Sequence, residues 1–242
     1  MAGASAERQE SGFISKVTEA VKKNKGNPVT LVAGKVEIVG VVGVKKYTGR
    51  QSGGSEPYTD VVITLNNKKT LNVSMKGSSA PSLAGGGLTG LELAVPGIAK
   101  KFMNAAFNYC TKTLKLKPGD KVPDIYGQIS DADKIAIVVG NKAMGGPIDF
   151  MYIGPMDVNA PYDSKNNQVN ANGKMEEAKK YAKSHKLFFR LRARREDQRF
   201  DPLNKDKDGT PKIYGKSPSK GDSAGRIVVV DKIPSTANMI TF

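Results

Sequence analysis

One cysteine, one histidine and no tryptophan stand among 242 residues. The single thiol, Cys110, cannot close a disulfide within the chain, and a reducing compartment is its simple setting. The lone imidazole, His185, excludes zinc sites built on several histidines and relays that need two. A Ser-His-Asp triad would have to use it, and no nucleophile elbow is present. No apolar run approaches the ~18 residues of a membrane helix. The opening MAGASAERQESG has no apolar stretch of signal-peptide type, so export through a signal peptide is not expected. Acids are scarce: 23 Asp and Glu against 38 Lys and Arg leave a net charge of +15. That balance points to a polyanionic partner, nucleic acid ahead of a membrane surface. What is present, 38% hydrophobic residues, suffices for a packed core.

The pattern along the chain predicts a mixed central sheet with flanking helices, of α+β class with α/β as the alternative. Residues 1–12 read as a flexible tail and 13–242 as a single domain. Phe13, Ile14, Val17 and Val21 recur at helical spacing before the Gly26-Asn27-Pro28 breaker. Thr30 to Tyr47, rich in Val and interrupted by Gly34, Gly40 and Gly43, reads as two strands with bends or bulges. Tyr58–Leu65 and Thr70–Lys76 flank an Asn-Asn-Lys-Lys turn and read as a hairpin. Gly77 to Gly90 reads as a loop and Ile98–Cys110 as a helix. Residues 111–147 look irregular, with a short strand at Ile135–Val139. Ile148–Ile153 is a strand, 159–173 a polar surface loop, Lys174–His185 a helix, Lys186–Arg194 a strand and Arg226–Asp231 a last strand. Residues 201–222 form a long polar loop or hairpin extension, with Asp206-Lys207-Asp208-Gly209 as its turn. The calcium loop those four residues imitate lacks its downstream Glu.

The hairpin carries the first chemical signal. Asp60 lies at the start of one strand, and Ser74-Met75-Lys76 lies near the end of the next. Ser74 and Lys76 share a face in period-2 geometry. A carboxylate there can hold Mg²⁺, and a lysine beside it can position a water or stabilise charge on phosphate. This arrangement resembles the PD-(D/E)xK superfamily of restriction endonucleases and related nucleases. In that family a helix carrying a Glu precedes a hairpin carrying an Asp and then a Glu/Asp-x-Lys. The resemblance implies a restriction-endonuclease-like core over roughly residues 13–110 and, more loosely, the strand at 186–195. It also implies Asp60 as a metal ligand, Glu19 as an auxiliary ligand, and Lys76 as the water-positioning or charge-stabilising group. Ser74 stands where the family has its second acid.

The second signal is Lys186-Leu187-Phe188-Phe189-Arg190-Leu191-Arg192-Ala193-Arg194-Arg195. As a strand it places Lys186, Phe188, Arg190, Arg192 and Arg194 on one face and apolar residues on the other. Such a row, with Arg195 just beyond it, can track a phosphate backbone. A solvated face paired with acids is the plainer alternative. Gly85-Gly86-Gly87-Leu88-Thr89-Gly90 matches G-x-G-x-x-G by letter, but without an immediately preceding strand it does not read as a dinucleotide site. Asp149 and Asp157 are further carboxylates near the Ile148 strand, better suited to turns or caps.

Three functions follow as expectations. The first is a magnesium-dependent DNA endonuclease-like protein that binds duplex DNA through its basic strand. The second is a non-catalytic basic virion structural protein, of minor-capsid or head-completion type, associated with DNA. It could assemble in a virion or as a homo-oligomer, and the expected location is then the host cytoplasm or the virion. The third, an RNA-associated protein, is disfavoured by 7% aromatic content without tryptophan.

Overall fold

The computed structural model describes residues 4–49, 57–78, 87–222 and 225–242. They fold as mixed α+β with two mixed sheets and five α-helices. Helix α1 spans Ala4–Lys23 and buries Phe13, Val17 and Ala20 along one stripe. It ends where Lys25 and Gly26 turn to φ 56° and 80°. There the Gly26 N–H reaches back to the Val21 carbonyl at 2.9 Å, the closing bond of a Schellman-type cap. The helix thus extends nine residues before Phe13 (Ala4 to Gly12), over ground expected to be tail.

Strands β1 (Val29–Ala33), β2 (Val36–Lys46), β3 (Val61–Leu65) and β4 (Thr70–Gly77) form an antiparallel meander. Its register shifts fall at Val29/Leu31 and Val41/Gly43, the bulges that the glycine-interrupted valine run predicted. The chain then leaves the sheet through α2 (Gly87–Ala94), α3 (Ile98–Asn108), a π-helical turn, β5 (Ile125–Gln128) and α4 (Asp131–Val139). It returns as β6 (Phe150–Gly154), parallel to β4. Strands β7 (Tyr162–Asp163), β8 (Gln168–Ala171) and β9 (Lys174–Glu177) complete an eight-stranded sheet in the order β7-β8-β1-β2-β3-β4-β6-β9. After α5 (Ala178–Ser184), strands β10 (Phe188–Arg192), β11 (Arg226–Val230) and β12 (Asn238–Ile240) join β5 in a second sheet, β11-β10-β5-β12.

Two cores result. One lies between α1 and the large sheet, where the Phe13 and Tyr152 rings meet edge to face at 5.2 Å. The other joins Tyr58 and Met151 to helices α3, α4 and α5 and to the inner face of the small sheet. Between α2 and α3, the Glu92 carboxylate accepts the N–H groups of Gly97, Ala99 and Lys100 at 2.6, 2.9 and 3.2 Å, capping α3 with an acid.

Several expectations need correction. Ile135–Val139 is helical, not a strand. Ser130 caps α4 by accepting from the Asp133 N–H at 3.2 Å, and Asp131 and Asp133 fill the first turn. These start signals outweigh the strand preference of Ile and Val once the helix buries Ile137, Val138 and Val139. Residues 111–147 also hold β5, a strand too short to stand out. The expected helix from Lys174 starts at Ala178, because 174–177 pair with β6. The polar loop 159–173 contains β7 and β8, and β8 runs parallel to β1. Helix α2 begins inside the expected Gly77–Gly90 loop, while Gly85 and Gly86 lie outside the described residues. In the 201–222 extension, Gly209 donates to the Asp206 carbonyl at 2.9 Å as the expected turn requires. That extension is more than polar surface, since Ile213 and Tyr214 are fully buried.

Candidate acid–lysine centre and basic strand

Asp60 precedes β3, with its backbone already in the ladder: its N–H donates to the Val73 carbonyl at 3.0 Å. Its side chain is therefore held over the end of β4. Oδ2 accepts the Met75 N–H at 2.5 Å and the Ser74 hydroxyl at 3.2 Å, and the Lys76 ammonium lies 4.0 Å away. Oδ1 has no partner among the described residues. Asp60, Ser74 and Lys76 thus come together as expected. Ser74 is 3% exposed and Lys76 largely covered.

Glu19 does not join them. It lies on the exposed side of α1 and pairs with Lys23 at 2.9 Å, one helical turn on. The helix sends Glu10 instead. Nine residues apart, the two acids are separated by about 13 Å along the axis. Glu10 is buried, and its Oε2 lies 3.0 Å from the Lys46 ammonium at the end of β2. Burial raises the Glu10 carboxyl above its ordinary value, Lys46 pulls it back, and the negative charge of Asp60 pushes it up further. Beside Glu10, the buried Gln9 amide donates to the carbonyls of Lys76, Gly154 and Pro155 at 3.1, 3.0 and 3.1 Å. This fixes the start of α1 across the ends of β4 and β6. Sequence reasoning missed Gln9, Glu10 and Lys46, although Glu10 lies three and seven residues before Phe13 and Val17, on their stripe.

Two acid–lysine pairs therefore lie near each other, Glu10 with Lys46 at 3.0 Å and Asp60 with Lys76 at 4.0 Å, close enough for the Asp60 charge to act on Glu10. Among the described residues no group of three or more His, Cys, Asp or Glu gathers to hold a metal. Magnesium does not require one: it commonly takes one or two carboxylates and fills its other positions with water and substrate phosphate. The free Oδ1 of Asp60 and the buried Glu10 carboxylate suit that demand.

The raised Glu10 value has a signed consequence. A carboxyl that holds its proton more tightly folded than unfolded favours the fold below its ordinary 4.5. That contribution is lost as pH rises through the raised folded value. Glu10→Gln cannot titrate, so its stability relative to the parent should climb as pH rises from about 4 toward 7. Urea unfolding of both proteins across that range measures the difference, and a fall would contradict the assignment.

The remaining acids and single residues are structural. Asp149 accepts the Asn72 N–H at 2.8 Å, and the exposed Asp157 lies 3.7 Å from Arg8. Burial pushes the Cys110 thiol up to about 11, which keeps it unreactive. His185 closes α5 and stacks on Tyr181 with centroids 4.0 Å apart.

The basic strand has the two faces its alternation predicted. Leu187, Phe189 and Leu191 enter the core, while Arg190 and Arg192 face outward and half-exposed. Three features depart from a free cationic row. Phe188 is buried rather than offered as an aromatic platform. Arg190 clasps Asp124 Oδ2 through Nε at 2.8 Å and a terminal nitrogen at 2.5 Å. Arg195 and Arg194 both turn to Asp222, at 2.6 and 3.7 Å. Lys186, Arg194 and Arg195 fall outside β10 itself. A shallow cavity of about 640 Å³ opens beside the strand, lined by these arginines and Lys121.

Comparison of the chain with known protein families, curated proteins and solved structures finds no match. No helix among the described residues is long and apolar enough to cross a membrane.

Proposed function

We propose that the protein is a magnesium-dependent DNA endonuclease with a restriction-endonuclease-like core and a reduced acid set. One observation carries this reading. Asp60, Ser74 and Lys76 meet at the end of the β3–β4 hairpin, and the buried Glu10 carboxylate of the preceding helix is near enough to feel the Asp60 charge. That is the family's order of parts, with Glu10 in the place expected for Glu19. Asp60 and Glu10 would hold the cation, whose chemistry is to polarise a phosphoryl oxygen and make water a better nucleophile. The Lys76 ammonium stabilises charge on the phosphate or orients the attacking water. Ser74 donates to Asp60 Oδ2 and, with the Met75 N–H, holds that oxygen, leaving Oδ1 without a partner among the described residues. Arg192 and its neighbours supply sequence-independent hold on the DNA backbone.

The direct test is incubation with plasmid DNA in Mg²⁺, Mn²⁺ or EDTA. Nicking or linearisation that requires the cation is expected. A second reading draws on a separate feature: Lys46 and Lys76 already balance both acids, as in a closed structural ion network. It makes the protein a non-catalytic DNA-associated structural protein, of the kind found in virions. Intact plasmid in both metals, with salt-dependent DNA binding retained, would select it.

A further inference from the structure

The arginines of the small sheet are not equivalent. Arg190 is committed to Asp124, and Arg194 and Arg195 share Asp222. Arg192, between them, has no ion-pair partner among the described residues, and its Nε is buried without a hydrogen-bond acceptor. A buried guanidinium N–H left unpaired costs free energy that a bound acceptor would recover. The strand pairing adds a second, independent sign. Arg192 stands directly across from Arg226 on β11. Like charges placed opposite each other across a ladder are destabilising unless an anion lies between or beside them. The cavity at Arg192 is open and roomy, at about 640 Å³, and lined by five cations against two carboxylates, Asp124 and Glu196.

From this arrangement we infer that Arg192 is the anchor of a discrete phosphoryl-binding socket, taking one phosphate group rather than a run of them. The surrounding ion pairs have a definite part in it. Asp124 and Asp222 hold Arg190 and Arg194/Arg195 as a fixed frame, so the socket is organised before the anion arrives. The chemistry recognised is the phosphate oxygens. It could come from a backbone diester, in keeping with the function proposed above, or from a terminal monoester.

The test reads binding alone, in EDTA, so it does not depend on cleavage. Fluorescence anisotropy follows a short duplex carrying either a 5′-phosphate or a 5′-hydroxyl, over a series of salt concentrations, with pyrophosphate as a competing small probe. Arg192→Met should bind about tenfold or more weakly and lower the salt slope by about one, the loss of one phosphate contact. Arg195→Met should change the slope by less, because the Asp222 carboxylate 2.6 Å from its Nε already pairs that charge. A melting temperature close to the parent's checks that Arg192→Met is folded, and Arg192→Lys, which keeps the charge, should recover most of the slope. If the parent prefers the 5′-phosphate end and Arg192→Met does not, the socket takes a monoester. Equal loss on both duplexes assigns a diester. Unchanged affinity and slope in Arg192→Met overturns the inference, as does a parent protein that binds neither duplex nor pyrophosphate. DNA binding that depends on Arg192 in a protein that never cuts would leave the socket standing and remove only the nuclease reading.

Discussion

Asp60→Asn should reduce metal-dependent DNA cleavage by at least about a hundredfold, ~2.7 kcal/mol of barrier at 1.36 kcal/mol per decade. The substitution keeps the shape of the side chain and an amide oxygen for the Met75 N–H. It removes the negative charge and exchanges the unpartnered carboxylate oxygen for an amide nitrogen, taking away the two properties a cation needs. The fold should therefore persist and DNA binding should stay close to the parent's, since the arginines of the second sheet are untouched. Removing that charge also relieves Glu10, whose carboxyl should titrate closer to its ordinary value, because Asp60 is one of the groups that push it up. Cleavage assays with side-chain carboxyl NMR on the same sample read both effects. Undiminished cleavage would place the chemistry elsewhere.

Ser74→Glu is expected to destabilise the protein by several kcal/mol, about 3–5, in the absence of metal. Ser74 is 3% exposed, and its hydroxyl already lies 3.2 Å from Asp60 Oδ2. A carboxylate there would be buried against another carboxylate, with Lys76 as the neighbouring cation. Ser74→Ala, by contrast, should cost only about 1–2 kcal/mol, because Asp60 keeps the Met75 N–H. Magnesium distinguishes a metal centre from an ion network. If the site takes a divalent cation, the third acid should raise the affinity, and millimolar Mg²⁺ should raise the melting temperature of Ser74→Glu by more than that of the parent. Thermal melts with and without Mg²⁺ measure this. A variant that melts low in both conditions would show that the centre does not hold the ion.

The hairpin was legible in the sequence because alternation and a polar turn occur together between Tyr58 and Lys76, and a two-residue period leaves little freedom of register. The core-facing side of β10 was legible for the same reason. Glu10 was not, because the first large apolar residue at helical spacing is Phe13, three positions later. Gln9 and Glu10 are polar, and what makes them interior is a strand end contributed more than 60 residues later. The pairing of Arg190 with Asp124 was hidden likewise, since its partner lies just before a four-residue strand too short to show alternation. In helix α4 the β-branched residues and the N-cap give opposite signals, and burial against the second core decides between them.

Gln9 also bears on the order in which the molecule can be made. Its amide joins α1 to the carbonyl of Gly154, 145 positions downstream. While the chain is being synthesised, the first helix and the meander emerge long before that carbonyl exists. Until β6 has left the ribosome and slid in alongside β4, the start of α1 has lost two of its three anchoring carbonyls. Glu10 is then held by Lys46 alone, without the fixed helix start that Gln9 provides. Anchoring of the α1 side of the centre thus waits for β6, and a nascent chain stalled before residue 154 could form the Asp60–Ser74–Lys76 hairpin but would hold Gln9 by the Lys76 carbonyl alone.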